Sequence, residues 1–447
     1  MATDACRAPF CVETTAPGRG AISVIEVVGA AGWSRVKKLI PDRNFARCPR
    51  IALVDLVGHA GPIDQAIVAH VPASKSFTGH DTVEINIHGG PACVGRLVDA
   101  LRRLGVPLRG RREPALLALK SGRLDLIQVE ALDLLYEATT FRAASFLMRQ
   151  FKGALSAAVN RILRRLELAS VAAGCASRRT VSRRCAAILR SISRLRATAD
   201  LGLALAEPAR CVIAGEPNVG KSSLFNALLA VPRAIVDPEA GTTRDHVQEI
   251  ASRQGIPFML IDTAGVASMG EDRRGAAPVD DAIRRAAEAD SLEQIRKARV
   301  SLFVVDARVC AAHADATVPQ SVVRHVNAKR SVVVVNKIDL LNAQQREVIA
   351  ESRLPHPAQP QVMVSALTGE GLDQLRSAIV TALVPASPPV PDAGAGVFTA
   401  RQVRILLHLE EAARDAAAAA GLQAGGTRPE LRRAIVLARS MILGKAH

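Results

Sequence analysis

The sequence is poor in aromatic residues. They make up 3% of its 447 residues, with one Trp and one Tyr, too few rings for a platform that stacks single-stranded bases. Contact with RNA is therefore expected to be led by phosphates. The chain also lacks any run approaching the roughly 18 to 20 apolar residues of a membrane span. Its first residues, MATDACRAPF, show no basic segment followed by an apolar one, so no secretory signal is read there. The expectation is a cytoplasmic protein without membrane association. Its eight cysteines (Cys6, Cys11, Cys48, Cys93, Cys175, Cys185, Cys211, Cys310) include no C-x-x-C pair. A structural zinc site is not expected, and the thiols read as reduced core or surface groups.

What is present begins with size and charge. At about 150 residues per domain, the length accommodates three domains. Lys and Arg number 58 against 42 Asp and Glu, a formal charge of +16, which suits a polyanion such as nucleic acid. The bland account of a basic surface is solubility, so charge alone assigns nothing.

Segment 1–130 alternates short β-type runs (AISVIEVV, DQAIVAHV, DTVEINIH) with Gly- and Pro-containing turns and reads as a small α+β domain. Between 131 and 205, ALDLLYEATT, RAASFLMRQFKGALSAAVNRILRRLELASV and CAAILRSISRLRATADL place apolar residues three and four apart, as amphipathic helices do. GCASRRTVSRRC reads as a polar break between the last two. From 206 to 385 the strands CVIAG, FMLIDTAG, VSLFVVD, SVVVVNKID and QVMVSA are continuous apolar runs, the pattern of a parallel sheet covered on both faces. PASPPVPDAGAG reads as a linker, and 386–447 adds two helices, RQVRILLHLEEAARDAAAAAGL and PELRRAIVLARSMILGK. The fold class is α/β plus all-α, with one globular domain inserted into a helical one.

The sharpest motif is GEPNVGKS, Gly215 to Ser222, directly after CVIAG and before SSLFNALL. This is a phosphate-binding loop in its required context. Backbone N–H groups of Gly215, Asn218, Val219 and Gly220 and the helix N-terminus with Ser223 face the phosphates, Lys221 reaches the β and γ oxygens, and Ser222 binds magnesium. Asp262, Thr263, Ala264 and Gly265 (DTAG) end a later strand, where the carboxylate serves magnesium and the Gly N–H meets the γ-phosphate. Asn336, Lys337 and Asp339 (NKID) end another. An Asp here accepts from guanine N1–H and the exocyclic amine, a donor pair adenine lacks, so GTP or GDP is expected. Ser365, Ala366 and Leu367 (SAL) complete the base pocket. Each tetrapeptide alone is an ordinary strand-end turn; four in order at successive strand ends leave chance negligible. Between the first two lies Gly241-Thr242-Thr243-Arg244-Asp245, a switch-loop pattern in which Thr243 senses the γ-phosphate and completes magnesium coordination.

GEPNVGKSSLFNALL with GTTRD and DTAG resembles bacterial GTPases of the Era and EngA type, with a Ras-like P-loop G domain. TTAPGRGAISVIEVVG (14–29), SFTGHDTVEINIHGGP (76–91) and SGRLDLIQVEALDLL (121–135) resemble more narrowly the MnmE, or TrmE, family of tRNA modification GTPases. The resemblance covers most of the chain. It implies an N-terminal domain that dimerises and binds 5-formyl-tetrahydrofolate, a potassium-stimulated GTPase, and action with an MnmG-like flavoprotein on the wobble uridine of tRNA. By the same resemblance Asn218 matches the potassium-binding Asn, Ser222 and Thr243 the magnesium ligands, and Glu84 and Arg123 the folate contacts.

The chain departs from that family at identifiable places. Glu26 stands where the family has Arg, and REPALLAL (112–119) replaces a polar motif. Asp237 and Glu239 stand in the potassium loop where Thr and Ile are expected, beside Thr242. Glu271 and Asp280 are rival candidates for the catalytic carboxylate. The family's terminal C-I-G-K is ILGK here, ending at Lys445, with no cysteine after Cys310. The alternative reading is a degenerate paralogue that acts as a GTP-regulated binding switch of the ribosome-assembly type, without modification activity.

Overall fold

The computed structural model describes residues 8–16, 18–41, 51–173, 177–229, 248–262, 293–312, 330–351, 360–385, 394–422 and 427–443. The chain divides into two compact units, Met1–Asp133 and Leu134–His447.

The first unit is built on a five-stranded antiparallel sheet, β1 (Phe10–Glu13), β2 (Ile22–Val28), β3 (Ile51–Gly58), β4 (Gly61–Val71) and β5 (Thr82–His88), in the order β1-β2-β5-β4-β3. Short helices α1 (Gly32–Val36), α2 (Pro91–Arg103) and α3 (Glu113–Lys120) complete it, and α4 (Leu126–Tyr136) follows in sequence. Alternation along the strands decides which side chains are buried. Ile25, Val27, Val83, Ile85, Ile87 and Val68 form one core with Leu97 and Leu101 of α2. Their neighbours Glu26 and Glu84 therefore lie on the opposite face of the sheet, directly paired in register. The segment lacking the polar family motif forms α3, whose Leu117 packs with Phe10 and Val28.

The second unit contains a six-stranded sheet, β6 (Ala209–Gly215), β7 (Gln248–Arg253), β8 (Ile256–Asp262), β9 (Val300–Asp306), β10 (Ser331–Asn336) and β11 (Gln361–Met363), ordered β11-β10-β9-β6-β8-β7. All pairs are parallel except the edge pair β7–β8. Burial explains the continuous apolar runs: every residue of β10 is buried. Helices α9 (Lys221–Leu229), α10 (Ala307–Ala312), α11 (Ala343–Glu351) and α12 (Leu372–Leu383) follow β6, β9, β10 and β11, a mostly parallel Ras-like G domain.

The remaining helices are α5 (Phe141–Phe151), α6 (Ala154–Ala172), α7 (Arg178–Arg196), α8 (Ala199–Ala206), α13 (Ala400–Leu422) and α14 (Thr427–Leu443). Four of them, α6, α7, α13 and α14, pack as a bundle, each against two neighbours. Two precede the sheet in sequence and two follow it, so the G domain is inserted into the helical domain. The other two lean on the sheet's domain. Thr140 caps α5 by accepting from Ala143 N at 3.1 Å and donates to Gly255 O at 2.7 Å, and Asp200 of α8 takes Arg299 and Arg330 at 3.0 and 3.2 Å.

The sequence pattern differs from the structure in three places. The long apolar-periodic stretch after Phe141 is two helices, broken at Gly153, whose φ of 92° is one a side chain disfavours. The stretch read as a polar break belongs largely to α7: Val181, Cys185, Ile188 and Ile192 are all buried and recur at helical spacing, so the arginines between them sit on a helix. Strand β7 was not visible as an apolar run because it is a half-exposed edge strand.

Candidate nucleotide-binding site

The loop after β6 is shaped by backbone conformations that few residues tolerate. Gly215 has φ 154° and Gly220 φ 93°; a Cβ would strike the Val304 carbonyl at the first and the Asn336 side-chain amide at the second. Asn218 takes the left-handed region at φ 62°, which Asn accepts more readily than most side chains. Lys221, the first residue of α9, curls back so that its Nζ donates to the carbonyls of Gly215 at 3.0 Å and Glu216 at 2.7 Å. Burial pushes the Lys221 ammonium below its ordinary pKa, opposed by the carboxylates of Asp262 and Glu216. An anion replacing these carbonyls would favour its charged form.

Ser222 Oγ donates to Asp262 Oδ2 at 2.7 Å, joining the start of α9 to the end of β8. The other oxygen of that carboxylate, Oδ1, is buried without a hydrogen-bond partner among the described residues. A hydroxyl and a carboxylate with an uncommitted oxygen form a hard-oxygen donor set, which fits magnesium.

Strand end β10 closes the other side. Asn336 is buried; its Nδ2 donates to Val219 O at 2.9 Å and its Oδ1 accepts from Ala366 N at 3.1 Å. Lys337, at φ 69°, donates through Nζ to Asn218 O and to Asp306 Oδ2 at 2.9 Å. Asp339 is held by Ser365 Oγ at 2.5 Å, and Ser365 also accepts from Thr368 N at 3.1 Å. Leu367 is largely exposed.

Two groups that motif reading missed support this arrangement. Asp306, at the end of β9, is clasped by Arg308 and Lys337, which hold its carboxyl well below the usual range. Its only sequence signal is an Asp closing an apolar strand. Arg376 of α12 is buried and donates to the carbonyls of Ala227 at 3.1 Å and Leu228 at 3.4 Å, anchoring the C-terminal turn of α9. Nothing local in the sequence marks it. Asp237, Glu239, Gly241, Thr242, Thr243, Thr263, Ala264, Gly265, Glu271, Asp280 and Lys445 lie outside the described residues.

In the first unit the three family-like segments are tied together. Gly20 and Gly89 exchange backbone contacts through Gly20 N to Gly89 O and Gly89 N to Ala21 O, both 3.1 Å. Ser121 Oγ donates to Thr78 O at 2.9 Å, and Arg123 Nη2 donates to the carbonyls of Ala73 and Ser74 at 3.0 and 2.9 Å. Arg123 is thus engaged by the loop before β5 rather than by Glu84. Glu84 faces Glu26, and neither has an ion-pair partner among the described residues. Burial, reinforced by the charge of Glu84, raises the Glu26 pKa from 4.5 to about 7.

A strand–loop–helix phosphate cradle, locked to an Asn-Lys-x-Asp strand end on a parallel sheet, defines a P-loop GTP-binding protein. Comparison with known proteins agrees. Residues 210–337 match the family described as 50S ribosome-binding GTPase, and residues 10–112 match the family described as GTP-binding protein TrmE N-terminus. The tRNA modification GTPase MnmE of Roseiflexus sp. is 32% identical over 420 residues, covering 90% of this chain and 87% of that protein. That of Azoarcus sp. is 34% identical over 398 residues, covering 86% and 83%. That of Thermotoga petrophila is 32% identical over 375 residues, covering 82% and 80%. The chain belongs to the MnmE family of tRNA modification GTPases. It binds GTP and hydrolyses it. Among the described residues no helix is long and apolar enough to cross a membrane.

Proposed function

We propose that this protein is a cytoplasmic tRNA-modifying GTPase that works as a homodimer with an MnmG-like flavoprotein on the wobble uridine of tRNA. We place its domains at 1–130, 131–205, 206–385 and 386–447, the second and fourth forming one helical domain. The observation that carries the reading is the hydrogen-bonded joining of segments 14–29, 76–91 and 121–135 in a chain that also carries the complete phosphate-loop constellation.

In this reading Lys221 leaves its two carbonyls for the β- and γ-phosphate oxygens, and Asp339, oriented by Ser365, accepts from guanine. Ser222 and Thr243 would hold magnesium, with the Asp262 carboxylate, hydrogen-bonded to Ser222, as the further oxygen donor. The ion supplies charge neutralisation on the phosphate oxygens. Asn218, exposed at the loop's crest, is the protein's own candidate for potassium, and Asp237, Glu239 and Thr242 are the further candidates that the family resemblance names. Glu271 or Asp280 positions the attacking water. Because phosphoryl transfer depends on positioning and electrostatic stabilisation, the divergent switch segment slows turnover rather than abolishing it.

One observation favours a second reading. Glu26, paired in register with Glu84, puts a carboxyl where the family resemblance places an Arg facing the anionic part of the folate, so Glu26 does not fit the tail of 5-formyl-tetrahydrofolate and no step is assigned to it. A paralogue that keeps GTP-dependent switching without modification chemistry accounts for that pair and for the absence of cysteine after Cys310. Nucleoside mass spectrometry on a deletion strain separates the two. Loss of the wobble modification, restored by this chain and not by Lys221→Ala, supports the first reading. An unchanged nucleoside profile contradicts it and leaves the switch.

A further inference from the structure

We infer that the solvent-facing side of α7, with the adjoining edge of α6, is a docking surface for the sugar–phosphate backbone of tRNA. Between residues 154 and 196 the sequence holds ten arginines and one acid, Glu167. That excess is more than half of the net +16, so the chain's charge is concentrated rather than scattered.

Helix geometry gives the excess a direction. At about 100° per residue, Arg179, Arg183, Arg190 and Arg194 fall within about 60° of one another on α7 and span roughly 22 Å of its length. All four are exposed. The opposite side of the helix, Val181, Cys185, Ile188, Ile192 and Leu195, is buried in the bundle. Across the α6–α7 seam, Arg165 donates to Ser191 Oγ at 2.7 Å and Arg184 to the Leu168 carbonyl at 2.8 Å, which fixes the antiparallel register. Arg161 and Arg164 then lie exposed beside the C-terminal half of the α7 stripe.

Several arginines elsewhere on the bundle are paired with acids. Arg196 and Arg414 share Glu410 at 3.2 and 2.6 Å, and Arg439 takes Glu167 at 3.0 Å. The stripe arginines have no acidic partner among the described residues. Unneutralised guanidiniums in a straight row on a rigid helix match a line of phosphates, which they bind in bidentate fashion. Exposed Ser182 and Ser193 beside the row add hydroxyl donors. The row carries no aromatic or Leu anchor of the kind that seats a helix in a lipid interface, and the scarcity of aromatic residues leaves phosphate contact as the mode.

This inference rests on the reading that tRNA is the substrate, and the test separates the two. The full chain, bound to GDP, is titrated with fluorescently labelled unmodified tRNA at several salt concentrations. Its variants are Arg179→Gln/Arg183→Gln/Arg190→Gln/Arg194→Gln and the same four positions changed to Lys. A control variant changes Arg102, Arg103, Arg432 and Arg433 to Gln. The inference predicts that the four-Gln variant binds at least 30-fold more weakly, with a salt slope shallower by about 2 to 4. The Lys variant keeps the slope, and the control changes affinity less than threefold. Equal binding by wild type and the four-Gln variant overturns the surface while leaving tRNA as substrate. No tRNA binding by wild type, or binding to vesicles of one-third phosphatidylserine instead, overturns both. If the four-Gln variant melts early, crosslinking of wild-type protein to tRNA decides: crosslinked peptides from 178–196 support the surface, and their absence contradicts it.

Discussion

The side-chain amide of Asn336 donates to the carbonyl of Val219 at 2.9 Å, so the strand end expected to recognise guanine is bonded to the loop expected to hold phosphate. Through its other atom, at 3.1 Å, the same side chain takes the N–H of Ala366. One buried amide thus joins three segments far apart in sequence. Asn336→Ala removes both bonds and leaves a buried carbonyl and N–H unpaired, a loss of about 2–3 kcal/mol. Affinity for fluorescent GDP should fall roughly 30- to 150-fold, while unchanged affinity would show that the loop holds its shape without Asn336.

Base specificity rests on Asp339. Its carboxylate is held by Ser365, so Asp339→Asn can keep that bond through the amide oxygen while turning an N–H toward the base. The donor repels guanine's own N–H groups and suits the 2-oxo group of xanthine. We expect kcat/KM to drop at least 100-fold for GTP and to rise for xanthosine triphosphate. Retained preference for GTP would place the base elsewhere.

Glu26 links the first unit's stability to pH. Its carboxyl, raised by burial and by Glu84, titrates near 7 when folded against an ordinary value of 4.5. Between those values the folded unit holds a proton that the unfolded chain has released, so stability is full below about 4.5 and declines as pH rises through 7. The decline is at most about 3 to 4 kcal/mol. Glu26→Gln should therefore stabilise the protein at pH 8 and have little effect at pH 4.5, by urea unfolding monitored in the first unit. An equal effect at both values contradicts the assignment.

Asn218 bears on the cation. Its carbonyl is fixed by Lys337 while its side chain is exposed. Hydrolysis should be faster in potassium than in sodium, and Asn218→Ala should abolish the difference with GDP affinity changed less than severalfold. Equal wild-type rates in the two salts exclude potassium from the loop.

Much of this site was legible because phosphate and guanine recognition demand particular residue types at strand ends, and strand ends are marked by the close of apolar runs. Gly215 through Ser222 and Asn336 through Asp339 carry their chemistry locally. Asp306 and Arg376 were not legible, since each acts on residues more than 30 positions away. The helical arginine stripe was obscured for a different reason: Arg179 and Arg183 lie in a stretch whose density of polar residues hides the apolar spacing beneath it. Glu26 was visible as a departure from the family pattern, but only the register of β2 with β5 shows that it faces Glu84.

The central claim is that this chain turns over GTP, selectively over ATP, at the loop containing Lys221. Phosphate release by the purified protein should be substantial with GTP and at least 100-fold slower with ATP, and Lys221→Ala should reduce the GTP rate to background while the fold, followed by circular dichroism, persists. Comparable ATP turnover, or undiminished GTP turnover by a folded Lys221→Ala, would contradict it.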